Sequence, residues 1–310
     1  MLIGIAVAMT APGAAQALPE AQEGTEQEIR ITLESPQIAF YPGQDLVVKL
    51  VFRGGGANEV LMGPEAFARE TFTILDSQGV PAQPDAASVS SQPEQGPLSI
   101  KGFDVESRLV NLSAWFPRLT TKEKRWDVSW SHQGRRAGPT RLYVVKAYRA
   151  EKDTTALVET ELGAMRWTLM PEHAPNHVKH FVDLARTGFY DGLTIFRVVP
   201  GLYGEGGDPA GDGTGAWKQV MPPEMSKTVP MGAGLVGASR QETSMTSDSM
   251  FFITISPSEF MLGKQTFFAR LTKGWEVIAK LHPLPNKGDT GLGDSYMLIT
   301  PVKILRISIK

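Results

Sequence analysis

Apolar and polar positions alternate in short runs through the first half of the chain. Ile29-Arg30-Ile31-Thr32-Leu33 repeats with a period of two. A Tyr41-Pro42-Gly43-Gln44 turn leads into a second run from Leu46 to Phe52. Thr71 to Leu75 stops at the turn cluster Asp76-Ser77-Gln78-Gly79, and further strand-like runs cover Trp126 to Trp130 and Arg141 to Val145. Short strands punctuated by turns, without a helical period, predict a small β-sandwich over residues 29–150. This half broadly resembles bacterial Ig-like accessory domains. Trp126 and Trp130 share one face of their strand and are expected in its core. The Pro-, Gln- and Ser-rich stretch from Gly79 to Gly96 reads as a long exposed loop.

Ala150 to Thr155 is a polar seam, and the pattern changes after it. Ala156 to Leu162, a turn at Gly163 and Met165 to Met170 predict a β-hairpin. Pro175 suits a first helical position, Val178, Phe181 and Ala185 recur at helical spacing, and Gly188 ends the helix. Lys273-Gly274 introduces a second short helix, Trp275 to Leu281. Val302 to Ile309 alternates as a closing strand. The two halves therefore predict two domains, 29–150 and 155–310.

The N-terminus adds a separate feature. Leu2 to Met9 is a short apolar run, and Ala15-Gln16-Ala17 has a small-x-small form. Together they predict a secretory signal peptide over 1–17, followed by a flexible polar leader over 18–28. No Lys or Arg precedes Arg30, so the usual basic n-region is missing. The apolar run is too short to span a bilayer. The expected setting is exported, in the bacterial periplasm or cell envelope.

Composition narrows the chemistry. The formal net charge is −2, which argues against a nucleic-acid partner. There is no cysteine, so thiolate nucleophiles, disulfides and thiolate-bound metals are excluded. His173, His177 and His180 have helical spacing, but Pro175 leaves His173 outside the helix, and surface histidines are expected rather than a metal face. The Gly204–Gly215 segment lacks the Gly-Lys-Ser/Thr ending of a phosphate-binding loop. Asp208 and Asp212 lack the closing Glu of a calcium loop. Ser239 lacks the Gly-x-Ser-x-Gly context of a hydrolase.

Several blocks in the second half carry a resemblance. Ala174-Pro175 through Phe181, Gly188-Phe189-Tyr190-Asp191-Gly192, Arg197-Val198-Val199-Pro200-Gly201 and Gly206-Gly207-Asp208-Pro209 are among them. Phe251-Phe252-Ile253-Thr254 and Leu262-Gly263-Lys264 complete the series. In order and spacing they resemble the cyclophilin family of peptidyl-prolyl cis–trans isomerases. The resemblance implies an eight-stranded antiparallel β-barrel capped by two helices, so the whole chain is expected to be mainly β. It implies isomerisation of X–Pro bonds in segments of client proteins, with no cofactor and no metal.

The same resemblance makes Arg197 the catalytic residue. The substrate-binding set it implies is Leu202, Tyr203, Glu205, Ser239, Met250, Phe252, Phe260, Met261 and Gln265. Phe252 stands as the aromatic floor of a proline pocket and Met261 as its aliphatic wall. Departures from the family pattern are Leu202 for a phenylalanine, Tyr203 for a methionine, Met250 for a glutamine and Gln265 for a histidine. Phe196 replaces the histidine that usually precedes the arginine. Glu205 replaces the glutamine beside that arginine, where a carboxylate can pair with the guanidinium. The altered pocket keeps two rivals open: a weakly active or inactive proline-peptide-binding module, and a barrel that serves only as an envelope scaffold.

Overall fold

The computed structural model describes residues 29–56, 59–85, 96–217, 220–240 and 245–310. The expected signal peptide and leader lie outside them. The chain divides into two compact units that meet in sequence between Arg149 and Ala150.

Among the described residues the first unit holds eight strands: β1 (Ile29–Glu34), β2 (Val47–Gly54), β3 (Val60–Met62), β4 (Phe72–Asp76), β5 (Leu98–Ile100), β6 (Val105–Asn111), β7 (Lys124–His132) and β8 (Arg135–Val144). They form antiparallel sheets in the orders β1-β2-β6 and β4-β7-β8, with β3 and β5 as a separate pair. Alternation in β7 turns Trp126, Val128 and Trp130 inward. The Trp130 ring meets Phe52 of β2 edge-on at 6.1 Å, and its Nε1–H donates to the Ala66 carbonyl at 2.7 Å. One apolar core thus draws on both three-stranded sheets. Strands β3, β5 and β6 escape a period-two reading because β3 and β5 have three residues each and β6 exposes Val105 and Leu109. The expected long loop after Gly79 is shorter at its start: Pro81 bridges Leu75, and the Ala82 N–H donates to the Ile74 carbonyl at 2.9 Å.

The second unit begins with the hairpin β9 (Thr155–Thr160) and β10 (Gly163–Leu169), then α1 (Pro175–Thr187). Next come β11 (Thr194–Val199), β12 (Tyr203–Asp208), the two-residue β13 (Val220–Met221), β14 (Leu235–Arg240), β15 (Thr246–Thr254) and β16 (Thr266–Lys273). Helix α2 (Trp275–Leu281) and β17 (Met297–Ile309) complete it. The strand order is β12-β11-β17-β9-β10-β16-β14-β15, and β15 pairs back to β12, so eight antiparallel strands close into a barrel. Closure removes the open sheet edges. Trp167 of β10 is fully buried, 5.1 Å from Phe251 of β15 and 5.9 Å from Phe181 of α1. Among the described residues no helix is long and apolar enough to cross a membrane.

Helix α1 corrects one expectation. His177 is not at the surface. It is buried, with Nδ1 2.6 Å from Glu224 Oε2 and Nε2 2.8 Å from the Thr246 hydroxyl. Glu224 also accepts from the backbone N–H groups of Asn176 and His177, at 3.1 and 2.9 Å. These are free donors of the first helical turn, so a carboxylate distant in sequence supplies the cap that Ala174 lacks. Burial raises the Glu224 pKa, but the His177 side chain and those backbone donors outweigh it and hold the group below its ordinary value. His180 is half-buried, and burial pushes its pKa down. His173 is also half-buried, with Nδ1 3.0 Å from the Ser226 hydroxyl. Spacing alone could not show that segments 222–226 and 246–248 cover this side of the helix.

Candidate active site on the barrel wall

The site is built on one hairpin. Val199-Pro200-Gly201-Leu202 turns the chain between β11 and β12. The Leu202 N–H donates to the Val199 carbonyl at 3.0 Å, and Gly201 takes φ 74°. Proline followed by a positive-φ glycine is the composition a type II turn requires. The register this turn sets places Arg197 directly across from Glu205. A β-bulge between Ile195 and Arg197 lets Ile195 and Phe196 both face the core while Arg197 is turned outward.

Across β12, Glu205 pairs with Phe252 of β15, and Phe252 pairs with Gly237 of β14. One row across four strands therefore reads Arg197, Glu205, Phe252, Gly237. The glycine is required by space: a Cβ at 237 would lie 2.4 Å from the Phe252 ring. That open position admits the ring, which also lies 5.7 Å from Tyr203 and 5.8 Å from Phe267.

Arg197 is held from two sides. Its Nη1 donates to Glu205 Oε2 at 2.7 Å and its Nη2 to the Gly293 carbonyl at 2.7 Å. The guanidinium carbon lies 5.4 Å from the centre of the Phe196 ring, within cation–π range. The glycine-rich segment after β12 forms a further wall. Buried Asp208 accepts from the backbone N–H groups of Ala210, Asp212 and Gly213, at 2.9, 3.0 and 2.6 Å. Its charge is spent folding that loop. Gly213 then sits so close that a Cβ there would be 3.1 Å from Arg197 Nη2.

Two cavities share Tyr203 and Glu205. The smaller, about 110 Å³, is lined by Tyr203, Glu205, Ser239, Phe252, Met261 and Gln265. The larger is an open groove of about 810 Å³, on which Arg197, Leu202 and Met250 lie together with Leu292 and Tyr296. Burial pushes the Tyr203 phenol pKa up, and the Glu205 charge adds to that.

The residues expected from the sequence thus fall into three groups. Six line the smaller cavity. Arg197, Leu202 and Met250 lie on the adjoining groove. Phe260 lines neither; it is 60% exposed on the 3-10 turn Glu259–Met261, while its neighbour Met261 is buried. Sequence reasoning missed Gly237, Gly213 and Gly293. The first two act through the absence of a side chain and the third through its backbone carbonyl. The Gly-rich pattern around 213 was the only signal for any of them.

Comparison with known proteins finds relatives of the second unit. A model of the family described as "Cyclophilin type peptidyl-prolyl cis-trans isomerase/CLD" matches residues 155–309. The chain is 31% identical over 156 residues to peptidyl-prolyl cis-trans isomerase CYP18-2 of Arabidopsis thaliana, covering 49% of this chain and 91% of that one. It is 32% identical over 157 residues to peptidyl-prolyl cis-trans isomerase 9 of Schizosaccharomyces pombe, where it spans only 25% of the relative's length. A crystal structure of a cyclophilin type isomerase from Cryptosporidium parvum, determined in the presence of the dipeptide Ala-Pro, aligns with a TM-score of 0.46 and 24% identity. That alignment covers 50% of this chain and 98% of that one.

Proposed function

The chain belongs, through residues 155–309, to the cyclophilin-type peptidyl-prolyl cis–trans isomerases, and from that premise we propose that Arg197 is the electrostatic catalyst and Phe252 the floor of its proline pocket. Rotation about an X–Pro bond must break amide resonance, against a barrier of about 18–20 kcal/mol. A catalyst needs no nucleophile for this; it must bind the twisted amide more tightly than either planar isomer. As the amide twists, the lone pair localises on the proline nitrogen, and a fixed cationic donor stabilises it there.

Arg197 fits that role because it is positioned before substrate arrives. Glu205 and the Gly293 carbonyl take one hydrogen from each Nη, which leaves the second hydrogen of each for the reacting amide, while the Nε–H is buried. Phe252 and Met261 offer apolar surface to the pyrrolidine ring in the smaller cavity. Leu202 and Met250, on the groove, contact residues flanking the proline, and Phe260 is exposed beside Met261. Tyr203, Glu205, Ser239 and Gln265 complete the lining. The observation that carries this reading is the single cross-strand row that aligns Arg197, Glu205 and Phe252.

We also place the activity on proline-containing segments of exported client proteins, which rests on the apolar Leu2–Met9 run and the Ala15-Gln16-Ala17 motif. Fractionation of cells making the full chain tests this, and a protein retained in the cytoplasm with an uncleaved N-terminus would contradict it. A second reading, a proline-peptide binder with little turnover, draws on the Glu205–Arg197 pair, because a carboxylate competes for the donors that the substrate needs. Isomerisation of an X–Pro tetrapeptide by the full chain separates the two. Acceleration that disappears in Arg197→Ala establishes the catalyst. A folded wild type with no acceleration over background leaves the binder.

A further inference from the structure

The smaller cavity carries polar atoms that an unsubstituted proline ring cannot satisfy. Ser239 is 3% exposed, and its hydroxyl has no hydrogen-bond partner. The carboxamide oxygen of Gln265 is likewise buried without one. Both residues line the same cavity of about 110 Å³. Their positions are linked by the sheet: β14 and β16 pair Ala238 with Thr266, the chain neighbours of Ser239 and Gln265. Pairing of β14 with β15 shifts between Ala238 and Arg240, at Ser239 itself. A bulge is a recognised means of re-aiming a side chain, and here two successive residues, Ala238 and Ser239, are both buried.

We propose that this pocket is built for a proline ring bearing a hydroxyl group, with Ser239 and Gln265 as the residues that select it. The inference rests on the isomerase reading of the pocket and deepens it. A pyrrolidine ring entering the cavity brings only CH₂ groups, so the buried hydroxyl and the buried carbonyl oxygen stay unpaired. A ring hydroxyl donates to the Gln265 oxygen and accepts from the Ser239 O–H, so one substituent satisfies both. Sites that hydrogen-bond a substrate hydroxyl discriminate strongly against the analogue lacking it. Phe252 and Met261 still supply the apolar surface for the rest of the ring.

The test uses the full chain and two tetrapeptides that differ only in proline or 4-hydroxyproline, with both 4-epimers included. Isomerisation is followed by NMR exchange and binding by titration. The expected result is a kcat/KM about tenfold higher for one hydroxyproline epimer than for proline. That ratio collapses towards one in Ser239→Ala and, independently, in Gln265→Leu. Wild type that turns over all peptides equally, or favours proline, overturns the inference and leaves the isomerase intact. A ratio unchanged in both variants overturns it too. If no peptide is turned over, tighter binding of one epimer, lost in Ser239→Ala, sustains the pocket assignment and removes the isomerase; equal binding removes both.

Discussion

The two units of the chain bury different things. Among the described residues, 29–149 buries one carboxylate, Asp76, whereas 150–310 buries five: Asp153, Asp183, Glu205, Asp208 and Asp248. The first unit is held by aromatic packing around Phe52, Phe67 and Trp130. In the barrel each buried charge has a specific partner: Arg186 for Asp153 at 2.8 Å, Lys179 for Asp183 at 2.7 Å, backbone N–H groups for Asp208 and Asp248. Burying a charge is costly unless it is paired, and such pairs add little net stability. The difference teaches where function sits. Geometry-fixing charges accumulate in the unit with a site to organise, and the other unit follows the ordinary logic of an apolar core.

The sharpest way to break this comparison is in the apolar unit. Trp130→Ala removes a fully buried ring that packs on Phe52 and spans to the Ala66 carbonyl. The expected loss is about 4 kcal/mol for residues 29–149, read by hydrogen exchange in the full chain. A loss under about 1 kcal/mol would mean that packing does not hold this unit.

The next largest effect belongs to the barrel wall. Arg197→Lys keeps the charge but loses the planar fork that reaches Glu205 and Gly293 together. Transition-state stabilisation should fall by about 2 kcal/mol, roughly thirtyfold in kcat/KM, with little change in binding of the planar substrate. Full activity in the lysine variant would show that charge alone suffices and that the two-sided clamp is incidental.

A smaller effect is expected behind the barrel wall. Glu224→Ala strips the cap from α1 and the acceptor from His177 Nδ1, costing about 1.5 kcal/mol of barrel stability at neutral pH. The pH dependence has a definite sign. The folded-state pKa of Glu224 is lowered from 4.5, so its contribution is present above the unfolded value and is lost as pH falls through the folded one. The gap between wild type and variant, measured by denaturation at several pH values, should therefore be full at pH 6–7 and close progressively below about pH 4.5. A gap that persists at the lowest pH would locate the effect in packing instead of charge.

These cases also show what the sequence made legible. Strand-like runs bounded by turns found β1, β2, β4 and β7, and the Pro175–Gly188 pattern found α1, because each has a strong local cause: a run of buried apolar positions, or a start and stop signal. Trp275–Leu281 matched α2 residue for residue. The weak periods of β3, β5 and β6 hid them. At the site, motif order singled out Arg197 and Phe252, which the strand register sets in one cross-strand row. The Glu224 cap, the Gly293 carbonyl and the open Gly237 position depend on contacts between residues distant in sequence, and such contacts leave no local mark. Glu205 was visible as a departure, and its pairing with Arg197 follows from the hairpin register.

That pairing gives the smallest effect and the finest test of the comparison. Glu205 is buried, and its Oε2 takes an Nη1 hydrogen of Arg197 at 2.7 Å. A hydrogen bond between two charged groups is about twice as strong as one between neutral groups. The carboxylate therefore fixes the guanidinium firmly but also draws its positive charge away from the substrate amide. In Glu205→Gln the side chain keeps its length and an acceptor oxygen, so the geometry survives while the ionic component is removed. Arg197 then carries an uncompensated charge in a partly buried wall, which lowers stability slightly and leaves the guanidinium a stronger electrostatic partner for the twisted amide. Turnover should rise about threefold, a gain of roughly 0.7 kcal/mol in the transition state, with thermal stability falling by a comparable amount. A fall in turnover together with lost stability would mean that positioning outweighs competition, and that the glutamate is part of the catalyst instead of a brake on it.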